Sequence, residues 1–225
     1  MPDKNKKPEK GNNTREVRFY CFEVRAEQDE KRGTYITGRP IVYNQVTDIG
    51  GFFREVIEPG AIDSLTDLKD VPLLVGHDMK MIPLARSRNN NPNSTMQLTP
   101  ASEGLDMRAD VDAENNATAR ALYSACGRGD VTGMSFAFFA DKERWEDLDS
   151  DYPLRHIEHF SRILEVSAVT FPAYKGSSIS AGRDEESSLE SARSSLESAR
   201  NALKEERERQ KNDERRKKAL EILRR

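Results

Sequence analysis

Three segments set a chemically useful side chain inside an apolar run. The first, VPLLVGHD, carries His77, one of only three histidines in the chain. An imidazole at the mouth of a buried strand is held rigidly yet stays within reach of solvent, which suits a general base. On its own, a surface or capping role is the commoner account of a lone histidine. The second segment is GDVTGMSFAFFA, residues 129–140, where Ser135 lies between Met134 and Phe136 just beyond Gly133. A hydroxyl buried there must find a partner or cost roughly 1–3 kcal/mol. A neighbouring carbonyl is the ordinary partner; a base such as His77 would make Ser135 a nucleophile.

The third segment is ILEVSAVTFPAY, residues 163–174. Glu165 is a carboxylate in an otherwise apolar strand, with Ser167 on the same face at period two. Such a charge is expensive to bury unless it is paired. Arg162 or Arg86 would serve as an ion-pair partner. Alternatively, Glu165 holds the far nitrogen of His77, as the acid does in a Ser-His-acid triad. The stretch GMSFA lacks the second glycine of a nucleophile elbow, and FAFFA continues as strand where the elbow needs a helix. Both points disfavour an α/β-hydrolase or an esterase of that type. The three histidines and two cysteines, Cys21 and Cys126, show no metal-ligand spacing, so neither a metal nor another cofactor is expected.

The elements that must position these groups are mainly strands. Val17, Phe19 and Cys21 alternate with Arg18, Tyr20 and Phe22, a strand covered on both faces. Further strands are expected over 35–43, 51–57, 71–76, 96–98 and 105–111, punctuated by Gly, Pro and Asn. One short helix is expected to start at Pro59 and run through Ile62, Leu65 and Leu68. A second is expected over 115–126, with Ala117, Ala121, Leu122 and Ala125 on one face, ending at Gly127. Many strands around two helices predict an α+β fold with a small closed or nearly closed β-barrel.

Charge divides the chain into parts. The 225 residues are 36% hydrophobic and 33% charged, and the charge gathers in the first dozen residues and the last forty or so. Residues 1–14 therefore read as a disordered polar arm, 15–175 as the domain, 176–188 as a flexible Gly/Ser-rich linker and 189–225 as a charged helical tail. In that tail SSLESAR occurs twice in tandem, at 187–193 and 194–200. Leu189, Ala192, Leu196, Ala199 and Leu203 form an a/d seam. The seam fits either a solvated helix held by Glu/Arg pairs or a short coiled coil for self-association or docking.

A net charge of −3 gives no case for nucleic-acid binding. No run approaches the roughly 18 apolar residues of a membrane span. The opening MPDKNKKPEKGNN has no apolar run behind its lysines and so is not a signal peptide. A soluble cytosolic protein with reduced thiols is the expectation.

Taken together, the blocks FREVIEPGAI, VPLLVGHD, PLARS, GDVTGMSFAF and LEVSAVTFPAY, in this order and spacing, resemble the tailed-phage prohead maturation protease family. That family is related to the herpesvirus protease, assemblin. The resemblance covers about residues 15 to 175. It implies a serine endopeptidase on a small β-barrel flanked by helices, acting on scaffolding segments of capsid proteins, and then often on itself, inside the immature capsid in the host cytoplasm. By matched blocks, the family's histidine falls on His77, its serine on Ser135 and, in the phage branch, its acid on Glu165. His156 and His159 compete for the third place, because assemblin carries a second histidine there. Ala85 and Ala137 stand where the family often has glycine. The rival expectation is a non-catalytic capsid-assembly or scaffold module that docks through the C-terminal helix. Self-cleavage is expected in the linker, whose composition is that of exposed, flexible chain, or in the tail beyond it.

Overall fold

The computed structural model describes residues 15–20, 24–30, 33–170 and 183–223. The expected arm over 1–14 and residues 176–182 of the expected linker lie outside the described residues; 183–188 are helical. In chain order the elements are β1 (Glu16–Tyr20), β2 (Arg25–Asp29), β3 (Gly33–Val42), β4 (Thr47–Ile49), β5 (Phe53–Ile57), β6 (Val71–Val75), β7 (Ala85–Ser87), β8 (Met96–Ala101), β9 (Gly104–Asp110), α1 (Ala117–Arg128), β10 (Gly133–Glu146), β11 (Leu154–Val169) and α2 (Arg183–Leu223).

The strands form two sheets. The larger has the order β1-β10-β11-β5-β4, with β6 added on β11 and β7 on β6; the smaller is β2-β3-β9-β8. Strand β11 is the hub. It pairs antiparallel with β10 along most of its length, and parallel with β5 at one end and β6 at the other. Alternation along β10 sends Met134, Phe136 and Phe138 into the main core, where the two phenylalanine rings meet Phe160 of β11. The smaller sheet contributes Ile36, Ile41, Leu98, Leu105 and Met107 to the same core, and α1 adds Ala119, Leu122 and Cys126.

The fold is α+β, but the two ladders do not join among the described residues, so the closed or nearly closed barrel is corrected to two open sheets around one core. Strand β9 pairs back on β3 and β8, and β1 ends the larger sheet at β10. Strand count and apolar runs predict that strands exist; they do not predict which partner each one takes.

The helix expected from Pro59 is also corrected, to a chain of turns. Gly60 takes φ of +86°, a left-handed conformation that stops a right-handed helix from forming there. Downstream, the backbone bonds sideways: the Asp67 amide donates to the Ser161 carbonyl at 2.9 Å, and the Ile163 amide to the Asp67 carbonyl at 3.2 Å. Groups that would have closed helical turns are consumed by β11. The other short helix is present as α1, with Asn116 accepting from the Thr118 and Ala119 amides at its start. It runs through Gly127 and ends at Gly129, which holds the left-handed cap at φ 77°.

Helix α2 lies against its own domain. Ala192 and Leu196 are buried with Ile49 and Phe53 in a second apolar cluster, flanked by Phe52, Trp145 and Leu148. Arg193 stacks over Phe52, Arg200 donates to the carbonyls of Leu148 and Ser150, and Arg207 pairs with Asp149. Two of the five predicted seam residues are thus spent inside the molecule rather than on a second helix. Beyond Arg207 the helix is exposed to its tip, where Leu220, Ile222 and Leu223 face solvent. No helix among the described residues is long and apolar enough to cross a membrane.

Between the two apolar clusters sits a buried charge network. Arg18 donates to Glu55 and Glu16; Arg155 donates to Glu16, Glu55 and Glu143. Glu16, Glu55 and Arg155 are fully buried and Arg18 nearly so. Burial pushes the Glu16 carboxyl up, but Arg155 and Arg18 outweigh it and hold the group down at about 2. Both guanidiniums are held above their ordinary value: burial lowers each, and the carboxylates beside them more than reverse this.

Candidate active site

The face of β10 opposite the main core carries Ser135 and Ala137. Across the ladder, Ser135 is paired with Ser167 and Ala137 with Glu165. Directly opposed residues share a face, so Ser135, Ser167 and Glu165 all lie on one side of the sheet, and all three are fully buried. On the other flank of β11, Ser167 is in register with Leu74 of β6.

Just past the end of β6 the chain turns over this face. Gly76 and His77 take φ of 58° and 61° in succession. The Gly76 amide donates to the Ala168 carbonyl at 3.0 Å, and the His77 amide donates to Ser167 Oγ at 3.2 Å. A left-handed conformation is uncommon for a side-chain-bearing residue, and such strain gathers at functional sites. Its effect here is to fold the imidazole back onto β11, where His77 Nδ1 lies 2.6 Å from Glu165 Oε1. The second carboxylate oxygen, Oε2, accepts from Ser167 Oγ at 2.6 Å. Ser135 Oγ donates to the Arg18 carbonyl of β1, also at 2.6 Å.

Of the partners open to Glu165, the one found is His77. Arg86 bonds to Asp70 and Arg162 lies beside Asp67, so neither arginine serves it. His156 and His159 are on β11, nine and six residues before Glu165, which at about 3.3 Å per residue puts them roughly 20–30 Å away along the strand. Each is occupied there: His156 Nδ1 contacts Glu58 at 2.6 Å, and His159 contacts Asp141 and Asp63.

With Nδ1 donating to a carboxylate, the imidazole is held in the tautomer whose Nε2 is the basic nitrogen. A hydroxyl, an imidazole and a buried carboxylate on one face can perform acyl transfer. Among the described residues no group of three or more His, Cys, Asp or Glu side chains is placed to hold a metal ion.

The parts played by two residues escaped the sequence reading. Ser167 shares the face of Glu165 by simple alternation, yet nothing local reveals that its hydroxyl is tied to both the acid and the His77 backbone. Arg18 supplies the carbonyl that accepts from Ser135, while its side chain anchors β1 in the buried charge network. The available signal was a pair of charged residues, Glu16 and Arg18, alternating with apolar ones in a strand covered on both faces.

No curated protein matches the sequence. The solved structure of the bacteriophage T4 capsid assembly protease, gp21, is similar at 13% identity and a TM-score of 0.37, covering 68% of this chain and 98% of that one. A family model described as caudovirus prohead serine protease matches residues 21–192. With most of its length so matched, the chain belongs to the caudovirus prohead serine protease family.

Proposed function

We propose that the chain is a serine endopeptidase in which Ser135 is the nucleophile, His77 the general base and acid, and Glu165 the group that orients the imidazole. The observation that carries this reading is the 2.6 Å contact between His77 Nδ1 and Glu165 Oε1 on the sheet face that also bears Ser135. In the resting site the Ser135 hydroxyl bonds to the Arg18 carbonyl. The mechanism requires that hydroxyl to turn from the Arg18 carbonyl to Nε2 when substrate binds, in keeping with catalytic hydrogen bonds that align only in the complex.

Oγ then attacks the peptide carbonyl carbon as its proton passes to Nε2. The Glu165 carboxylate, held at the Nδ1 proton, stabilises the imidazolium. Collapse of the tetrahedral adduct breaks the C–N bond, and His77 returns the proton to the departing amine. Water repeats the sequence on the acyl-enzyme, with His77 again as base.

The substrates we propose are scaffolding segments of capsid proteins within the immature capsid, and the chain's own segment around 176–188. The rival reading, a scaffold module docking through its C-terminal helix, loses its main support because Ala192 and Leu196 are buried on the domain. Replacement of Ser135 by Ala tests the assignment. Cleavage of capsid-protein substrate should vanish while the protein stays folded, whereas undiminished cleavage would remove Ser135 from the mechanism. Intact masses of wild type and Ser135→Ala after long incubation test self-processing; identical masses would exclude it.

A further inference from the structure

We infer that Ser167 is a positioning residue that sets the alignment of His77 against Ser135, an inference that rests on the catalytic assignment above. Three observations converge on this one fully buried hydroxyl. Its proton goes to Glu165 Oε2 at 2.6 Å, so the carboxylate is gripped at both oxygens, by Ser167 on one and the imidazole on the other. Its lone pair accepts the His77 amide at 3.2 Å, which pins the left-handed turn that carries the imidazole. Finally, its residue stands directly opposite Ser135 on the β10/β11 ladder.

A single side chain therefore ties the backbone of the base, the carboxylate of the acid and the strand position facing the nucleophile. Neither tie alone would suffice. A carboxylate bonded only to the imidazole can rotate about its terminal torsion, which is broad, and carry the ring with it. A turn residue bonded only through Gly76 can shift along β11. Ser167 removes both freedoms at once, with one hydroxyl on the face that also carries Glu165. It does not touch the reacting atoms in this scheme; it acts through His77 and Glu165. Such supporting contacts commonly decide whether a site is correctly aligned or an ångström too loose.

The test compares wild type, Ser167→Ala, Ser167→Thr and Ser135→Ala as full-length chains, using a fluorophosphonate that labels activated serines. Amplitude of labelling counts correctly folded sites; the rate constant reports how well the base and nucleophile are aligned. For Ser167→Ala we expect full amplitude with the rate constant lowered roughly 10- to 100-fold, the size typical for losing a hydrogen bond to a charged group. In peptide cleavage the same variant should lose kcat while KM stays within about twofold. Ser167→Thr restores the hydroxyl and should recover most of the rate.

A wild-type rate constant in Ser167→Ala, or a loss confined to amplitude, overturns the inference, because a merely structural role would act on the folded fraction alone. A threonine variant as slow as the alanine variant at full amplitude overturns it too. Wild type left unlabelled at Ser135 is a different failure. It would remove the catalytic assignment, and this inference with it.

Discussion

Glu16 offers a direct measure of what the buried charge network contributes. It sits between Arg18 and Arg155 with no exposure, and those two guanidiniums bring its carboxyl from an ordinary 4.5 to about 2 against the opposing effect of burial. Because the folded value is the lower one, the folded state favours the ionised form. The associated stability is fully present above about pH 4.5 and is lost as pH falls toward 2. At about 1.36 kcal/mol per pH unit, that fall corresponds to about 3 kcal/mol at pH 7 and about 1 kcal/mol at pH 3. Glu16→Gln keeps the shape and removes the charge, so it should destabilise by about 3 kcal/mol at pH 7, with the gap to wild type shrinking through acid. Urea unfolding of both proteins at pH 7, 5, 4 and 3, followed by tryptophan fluorescence, measures that gap. A difference below about 1 kcal/mol at pH 7, or one that does not narrow between pH 5 and pH 3, would refute the claim that ion pairing at Glu16 outweighs its desolvation.

Two further variants probe the acid and the helix contact. Glu165→Gln should lower kcat by about 100- to 10,000-fold with little change in unfolding midpoint, since an amide cannot both accept the Nδ1 proton and balance an imidazolium; steady-state peptide cleavage checks this, and retention of more than a tenth of the rate contradicts it. Gly50→Ala should loosen α2. The residue holds φ of +60°, and an added Cβ would stand 2.4 Å from Leu189 Cδ2, so hydrogen exchange should speed up along the docked part of the helix; protection equal to wild type would show that Leu189 gives way without cost.

The candidate site was easier to pick out in the sequence than the frame that would build it. His77, Ser135 and Glu165 stood out because each is a polar or titratable group inside an apolar run, an arrangement whose energetic cost demands a reason. That His77, not Arg86 or Arg162, takes Glu165 required coordinates, because the answer depends on β6 lying parallel to β11 in one particular register. The same limit explains the helix misread at Pro59. Ile62, Leu65 and Leu68 have helical spacing, but Asp67 bonds to β11 across nearly a hundred residues and Leu65 is left in solvent. Arg18 and Glu55 are 37 residues apart, and Arg155 and Glu16 are 139 apart. No local pattern announces a pairing of that range, whereas α1 was legible because its cap and its apolar face are neighbours in the chain.

The docked half of α2 has a consequence for how copies of this chain meet. Ile49 and Phe53 compete for Ala192 and Leu196 against any second helix, and they compete as tethered groups. Any zipper-like dimer built on that stripe must therefore first free Ala192 and Leu196 from Ile49 and Phe53, so pairing of copies and release of the helix from the domain would be one coupled step.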